Sequence, residues 1–288
     1  MENSQVLHSV SKLFSTATFR KLVVEGKTDY LKRKIGKYKS ILGINPETTN
    51  RDVIKSLYLL MNKNYRSEYL YKNHLFNKLI EDKKLPETAI LNEIRVGFSI
   101  ADTVLINGEP ILYEVKTELD NPQKLISQLD DYQKAFAKIN VITHESIYYK
   151  YYQVLKGSSV GLMYLSSKNK LITHKEAAFD INKLDHVVLF KLLRKSEFSL
   201  VIENYFGKIP AVPNTVYFKT CLDLAKQIPV QELYVMVFQH LKMRRPTINT
   251  FLQSTKTPRE LKYICYTLDF NSGHYQNLHT FLGSPFKS

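Results

Sequence analysis

Two short runs in the middle of the chain are rich in residues that favour β-strands and predict a β-hairpin. The runs are Ser99 to Ile106 and Pro110 to Lys116, and the segment between them is Asn107-Gly108-Glu109. An Asn-Gly pair between β-rich runs is a strong hairpin signal. Because side chains alternate between the two faces of a strand, Glu114 and Lys116 are expected to point to the same side.

The length of the turn decides which residues face each other across this hairpin. A two-residue turn would place Asp102 opposite Tyr113, whereas a three-residue loop with Ile106 opposite Pro110 would place it opposite Glu114. Directly opposed residues lie about 5 Å apart. We expect the second register, which brings two carboxylates together.

Two carboxylates at this separation repel each other unless a proton or a cation lies between them. Mg²⁺ is held by one or two carboxylates together with water and phosphate oxygens, so the pair suits a divalent cation. Lys116 could then stabilise the charge on a phosphate or hold an attacking water molecule, and Glu93 is a candidate third carboxylate. The competing interpretation is a solvated polar face that carries an ordinary cross-strand ion pair.

The segment after the hairpin has the periodicity of a helix. From Pro122 to Ile139, apolar residues recur every three or four positions, namely Leu125, Leu129, Tyr132, Phe136 and Ile139, which predicts a helix packed on the sheet. Gln128 and Tyr132 are four residues apart and fall on one side of this helix. An amide and a phenol placed there can reach the carboxylates and orient water, lysine or phosphate.

The remaining pattern predicts an α/β fold with a mixed β-sheet flanked by helices. Short strands are expected at 140–144, 160–165 and 170–174, and helices before and after this part of the chain. We therefore expect a helical basic region over 1–85, an α/β core over 86–180 and a second helical basic region over 181–288.

The charge of the chain is distributed in three blocks. Residues 1–92 carry a net charge of +8, residues 93–180 of −1 and residues 181–288 of +7. Basic segments around a near-neutral centre that gathers acidic residues suit a protein that binds polyanions and holds a cation at the centre. The candidate phosphate contacts are Lys32, Arg33, Lys34, Arg95, Lys242, Arg244 and Arg245.

Other kinds of site lack their signatures. The eight histidines show no HExxH spacing, and the sequence has neither a Gly-rich phosphate loop nor a Gly-x-Ser-x-Gly elbow. Cys221 and Cys265 have no zinc-type spacing and cannot form a disulfide framework. With no signal peptide and no 18-residue apolar run in the sequence, we expect a cytoplasmic protein that does not insert into a membrane.

The order Asp, Glu-x-Lys and Gln-x-x-x-Tyr over Glu87 to Thr143 resembles the PD-(D/E)XK nuclease superfamily, in particular its RecB-like branch. The resemblance implies a restriction-endonuclease-like sheet core. It also implies that Asp102, Glu114 and the carbonyl of Val115 bind Mg²⁺ or Mn²⁺. Ala101 stands where the nominal motif has proline.

The same resemblance assigns roles to the other positions of the motif. Lys116 and Gln128 would position water and phosphate, and Tyr132 is the helix tyrosine. Glu93 matches the glutamate on a helix before the first core strand, which supplies a further catalytic and metal-binding carboxylate in many members.

The expected function is Mg²⁺-dependent hydrolysis of DNA, in DNA processing or anti-phage defence. An RNase remains an alternative, as does a catalytically inert module that binds nucleic acid or a partner protein on the same scaffold. The sequence leaves open whether the chain forms a homodimer or binds a partner protein.

Overall fold

The computed structural model describes residues 2–27, 29, 33, 35–36, 45–81, 87–118, 120–246 and 250–286. The chain forms two compact units. The first combines residues 1–86 with 246–288, and the second comprises residues 87–245. None of the described helices is both long and apolar enough to cross a membrane.

The second unit contains a six-stranded sheet with the strand order β1-β2-β3-β4-β5-β6. The strands are β1 (Ala89–Val96), β2 (Ser99–Asn107), β3 (Glu109–Val115), β4 (Ile139–His144), β5 (Gly161–Leu165) and β6 (Leu171–Lys175). β3, β4 and β5 run parallel, and the other neighbouring pairs are antiparallel. The predicted mixed sheet is therefore confirmed.

Helices precede, interrupt and follow this sheet. In chain order they are α1 (Glu2–Ser11), α2 (Thr16–Phe19), α3 (Asn50–Asn64), α4 (Glu68–Glu81), α5 (Pro122–Tyr132), α6 (Tyr148–Leu155), α7 (His186–Lys191), α8 (Lys195–Phe206), α9 (Asn214–Ala225), α10 (Val230–Lys242), α11 (Thr250–Gln253), α12 (Lys262–Thr267) and α13 (Ser272–Gly283). A π-helical segment, Arg20–Val24, follows α2. The predicted α/β class with flanking helices is confirmed.

The register of the central hairpin is the one expected from the three-residue loop. Ile106 lies opposite Pro110, and Thr103 lies opposite Tyr113. Gly108 has a φ of 77°, a left-handed conformation that glycine adopts without steric cost. The next row of this register places Asp102 beside Glu114.

The helices of the second unit share one apolar core with the sheet. Buried members come from the strands and from every helix between α5 and α10, including Val104, Leu112, Val141, Leu162, Leu129, Leu155, Phe190, Val201, Cys221 and Val237. The structure thus divides the chain within one residue of the predicted boundary at 85, but its second division falls at 245/246 and not at 180. Residues 181–245 belong to the sheet unit because the apolar sides of α7 to α10 are buried in the core of the sheet.

The helix after the hairpin is shorter than predicted. α5 begins with Asn121 as N-cap and Pro122 at its first position, and it ends at Tyr132 rather than at Ile139. Ile139 instead starts β4, where it lies opposite Leu112. The apolar run of a strand buried in the sheet continued the helical spacing by chance, so the periodicity extended the helix too far.

The first unit is helical in its described part. α3 begins at a capping box in which Thr49 and Asp52 bond each other's backbone N–H groups. Further along the unit, the side-chain amide of Asn73 donates to the hydroxyl of Tyr58 at 2.9 Å and to the carbonyl of Arg259 at 3.1 Å. These bonds satisfy a buried amide between α4 and the segment that precedes α12.

Candidate active site

The carboxylate of Asp102 lies where the pairing between β2 and β3 ends. Its Oδ2 accepts a hydrogen bond of 2.8 Å from the backbone N–H of Val115, so a side chain takes the place of the missing strand partner. In an antiparallel ladder the N–H and C=O of one residue point toward the same neighbouring strand. The carbonyl of Val115 therefore faces the side on which Asp102 lies.

Glu114 and Lys116 form a buried ion pair on one face of β3 and just beyond it. Nζ of Lys116 lies 2.8 Å from Oε1 of Glu114, and the two side chains are only 6% and 3% exposed. The prediction that they point to the same side is confirmed. A buried ion pair of this kind costs desolvation energy and needs further hydrogen bonds to be retained.

Gln128, one turn before the end of α5, supplies those further bonds. Its Oε1 accepts from Nζ of Lys116 at 2.6 Å, and its Nε2 donates to Oε1 of Glu114 at 2.8 Å. The amide therefore contacts both members of the ion pair and fixes their relative position. This is the orienting role that the spacing of Gln128 on the helix predicts.

Tyr132 closes the other side of the Glu114 carboxylate. Its hydroxyl lies 2.9 Å from Oε2 of Glu114 and 2.7 Å from the carbonyl oxygen of Ile100. Burial, together with the charges of Glu114 and Asp102, holds the pKa of Tyr132 far above its ordinary value. The phenol stays protonated and remains a hydrogen-bond donor.

Glu114 of β3, Lys116 just beyond it, and Gln128 and Tyr132 of α5 form one hydrogen-bonded polar cluster beneath the helix, and Asp102 of β2 lies beside it, bonded to the N–H of Val115. When ionised, Asp102 and Glu114 carry two negative charges against the one positive charge of Lys116. The cluster thus has an excess of negative charge next to an oriented ammonium group. A bound cation would offset that excess.

The structure corrects the expectation for Glu93, which lies in strand β1 and not on a helix. It is exposed and has a φ of 55°, a conformation that costs a non-glycine residue about 1–2 kcal/mol. The pairs on either side of it place it opposite Asp102, yet the described residues contain no group of three or more His, Cys, Asp or Glu side chains able to hold a metal. Glu93 is therefore not joined to the two other acids.

The predicted phosphate contacts are in different environments. Arg95 is exposed on β1, opposite Ile100, and Arg245 is exposed after α10. The guanidinium of Arg244, in contrast, is bound to Glu197 and donates to the carbonyl of Leu192 at 2.8 Å.

The other basic candidates differ again. Lys242 is half-buried at the end of α10. Nε of Arg33 lies 3.4 Å from the carbonyl oxygen of Asp29, and Lys32 and Lys34 lie outside the described residues.

Sequence reasoning missed how the turn between β1 and β2 is fixed. Asp131, next to Tyr132 on α5, accepts from the N–H of Phe98 at 3.1 Å and from the hydroxyl of Ser99 at 2.8 Å. Gly97 has a φ of 60° in this turn. A glycine before Phe98-Ser99, between two β-rich runs, is a hairpin signal that could have located the turn and the strand before it.

The fold and the site define an α/β protein with a carboxylate, lysine and glutamine cluster at the end of two strands. A family model described as bacteriophage P4 protein cII matches residues 61–264. The match covers more than half of the chain, which belongs to this family. No match was found among curated proteins or among solved structures.

Proposed function

We propose that the chain is a Mg²⁺-dependent deoxyribonuclease and that the cluster around Glu114 is its active site. The proposal rests on one observation, the hydrogen-bonded network of Glu114, Lys116 and Gln128, next to which the carboxylate of Asp102 accepts from the N–H of Val115. Two carboxylates, a buried ammonium group and an amide that orients both are the groups that hydrolysis of a phosphodiester requires. The restriction-endonuclease-like arrangement implied by the sequence resemblance is part of this proposal.

The donor set fits Mg²⁺. Asp102 and Glu114 supply two carboxylates and Val115 a carbonyl, all hard oxygen ligands, and the ion commonly takes its remaining ligands from water and phosphate. The same donors accept Mn²⁺. Bound there, the ion would lower the pKa of a water molecule and offset the charge of the phosphate.

The residues of the chain then have separate roles. Lys116 donates two of its three N–H groups to Glu114 and Gln128, and we assign the third to a phosphate oxygen or the attacking water. Gln128 keeps the ammonium group in place. Tyr132 is a positioning residue, because its hydroxyl holds the oxygen of Glu114 that does not contact Lys116.

The test compares variants that remove charge and keep shape. Asp102→Asn, Glu114→Gln and Lys116→Met should each lower the rate of Mg²⁺-dependent cleavage by at least about a hundredfold, since charge stabilisation by one group is worth about 3–4 kcal/mol. Wild type and variants are incubated with linear, circular, single-stranded and RNA substrates, in Mg²⁺ or in chelator. The products are separated by electrophoresis.

Glu109→Gln is the matched control. Glu109 is an exposed glutamate at the turn end of the same strand, where it pairs with Lys138 at 3.2 Å. The control should cleave at the rate of the wild type. Equal cleavage by the wild type and the three site variants, or cleavage that continues in chelator, would contradict the proposal.

A second candidate function is an inert module that binds nucleic acid or a partner protein. The observation that favours it is the hydrogen-bond network in which Lys116, Glu114, Gln128 and Tyr132 bond to one another. Calorimetric titration separates the two functions, because only a nuclease site needs to bind Mg²⁺ or Mn²⁺ through Asp102. Cleavage of the RNA substrate, and not of the DNA substrates, would identify an RNase.

We place this activity in DNA processing or in the conflict between phages and their hosts. The support is the name of the family, which is that of a bacteriophage protein, together with the proposed action on DNA. The substrate panel tests the activity on which this placement depends.

A further inference from the structure

A fully exposed phenylalanine lies at one side of the site. Phe98 is 97% exposed at the turn between β1 and β2. Its position is fixed, because its backbone N–H and the hydroxyl of Ser99 both bond to Asp131 of the helix that carries Gln128 and Tyr132. Asp102 follows four residues later on the same strand, a distance of about 13 Å along the backbone.

A cluster of aromatic side chains, here called the aromatic cluster, lies at the other side. It consists of Tyr148, Tyr149, Tyr152, Tyr164 and His174. The rings of Tyr148 and Tyr164 are stacked with their centroids 4.9 Å apart, and His174 contacts Tyr148 at 4.8 Å and Tyr152 at 5.0 Å. Tyr149 extends the cluster into solvent, where its side chain is 61% exposed.

The sheet places this cluster close to the lysine of the site. Val115 pairs with Ile142, so Lys116 comes next to Thr143, and Thr143 pairs with Tyr164. Two strand spacings of about 4.8 Å separate Lys116 from Tyr164. Because these residues occupy one row of the sheet, their side chains lie on the same face.

The surroundings of the aromatic cluster are basic. Residues 144–176 contain five lysines and two glutamates. Lys150 is exposed next to Tyr149 on α6, and Lys168 and Lys170 are exposed in the turn between β5 and β6. Exposed aromatic rings among lysines suit a strand whose bases are free to stack and whose phosphates are negatively charged.

We propose that the site takes DNA with unpaired bases, which stack on Phe98 at one side and on Tyr149 of the aromatic cluster at the other. This inference rests on the proposed nuclease function and names its substrate class. A base-paired duplex keeps its bases inside the helix and offers no free face to these rings. The exposed rings therefore favour single-stranded DNA, or the single-stranded part of a junction, over duplex.

Binding is measured without catalysis, in chelator and at one salt concentration, by the fluorescence anisotropy of labelled oligonucleotides. Stacking on one aromatic side chain contributes about 1–3 kcal/mol, so the wild type should bind single-stranded DNA at least about tenfold more tightly than duplex. Phe98→Ala and Tyr149→Ala should each weaken single-strand binding about tenfold. Both should leave duplex binding unchanged.

Conservative variants separate stacking from a merely structural role. Tyr149→Phe should bind single strands like the wild type, because it keeps the ring. Tyr205→Ala is the control, since Tyr205 is a 40% exposed tyrosine on α8 whose ring contacts Phe206 and not the aromatic cluster. The chain contains no tryptophan, so Phe98→Trp introduces a single tryptophan, whose fluorescence single-stranded DNA should quench and duplex should not.

The outcomes distinguish this inference from the proposed function. Equal affinity for single strands and duplex, or no loss in Phe98→Ala and Tyr149→Ala, overturns the stacking proposal even if the wild type cleaves DNA. Tighter binding of an RNA strand than of the DNA strand overturns the assignment to DNA. If the wild type binds single-stranded DNA as expected but cleaves none of the substrates, the proposed nuclease function is refuted and the proposed stacking of unpaired bases stands.

Discussion

Replacing Lys116 by methionine should destabilise the sheet unit far more than the loss of an ordinary ion pair does. The substitution keeps the length of the side chain but leaves the carboxylate of Glu114, which is 3% exposed, without its cation. Breaking a buried pair in this way costs about 3–5 kcal/mol. Gln128 and Tyr132 still donate to the carboxylate, so we expect about 3 kcal/mol, at the lower end of that range.

Removing the second charge of the pair as well should restore part of the lost stability. Glu114→Gln alone removes the charge of the carboxylate and leaves the buried ammonium group of Lys116 without an anionic partner. The double variant with Lys116→Met contains neither charge. The double variant should therefore be more stable than the sum of the two single effects predicts. We expect an interaction energy of about 2 kcal/mol in this double-mutant cycle.

Hydrogen exchange in increasing urea, followed on peptides from β3 and α5, reports the opening free energy of the unit that carries the site. Lys226→Met is the matched control, because Lys226 pairs with Asp223 at 3.0 Å in the same unit with side chains 48% and 54% exposed. Lys226→Met should lower the opening free energy by less than about 1 kcal/mol. If Lys116→Met costs no more than this control, or if the cycle shows no interaction energy, the charge of Lys116 does not stabilise the buried carboxylate of Glu114.

Three further predictions concern other parts of the molecule. Burial, assisted by nearby arginines, lowers the pKa of His74 to about 4 from 6.5, so the folded state keeps it neutral while the unfolded chain takes up a proton. Stability should be full above pH 6.5 and fall by about 2–3 kcal/mol as the pH drops to 4, a loss that urea unfolding should not find in His74→Phe. Arg244→Gln should lower the melting temperature because it leaves the largely buried carboxylate of Glu197 without its cation. Arg245→Gln, at an exposed position, should change the melting temperature little. Gly97→Ala should lose about 1–3 kcal/mol of stability in chemical denaturation, since the added Cβ would lie 2.6 Å from Oδ1 of Asp131.

The central hairpin was predictable because its determinants are local. The Asn107-Gly108 pair locates the turn, and the two-residue period of a strand places Leu112, Glu114 and Lys116 on one face, although the pair left two registers open. The helical spacing placed Gln128 and Tyr132 on one side of the helix. These signals depend on a few neighbouring residues and not on contacts with distant parts of the chain.

The errors arose where tertiary context decides. Ile139 fits a helical repeat, but the sheet uses it to pair with Leu112. Glu93 has polar neighbours typical of a helix end, yet its segment forms a strand because β2 offers a partner. The predicted boundary at 180 missed that Phe190 and Val237 are buried in the same core as Val104, which no local pattern encodes.

The central claim is that the carboxylates of Asp102 and Glu114 hold a divalent cation beside Lys116 to cut DNA. Its most direct test is the cleavage rate of single-stranded DNA as a function of Mg²⁺ concentration for the wild type and Asp102→Asn, whose amide oxygen can still accept from the N–H of Val115. We predict cleavage by the wild type that rises with Mg²⁺ and saturates, and none above background by the variant. A variant that follows the same Mg²⁺ curve as the wild type, or a wild type that is inactive at every concentration, would contradict the claim.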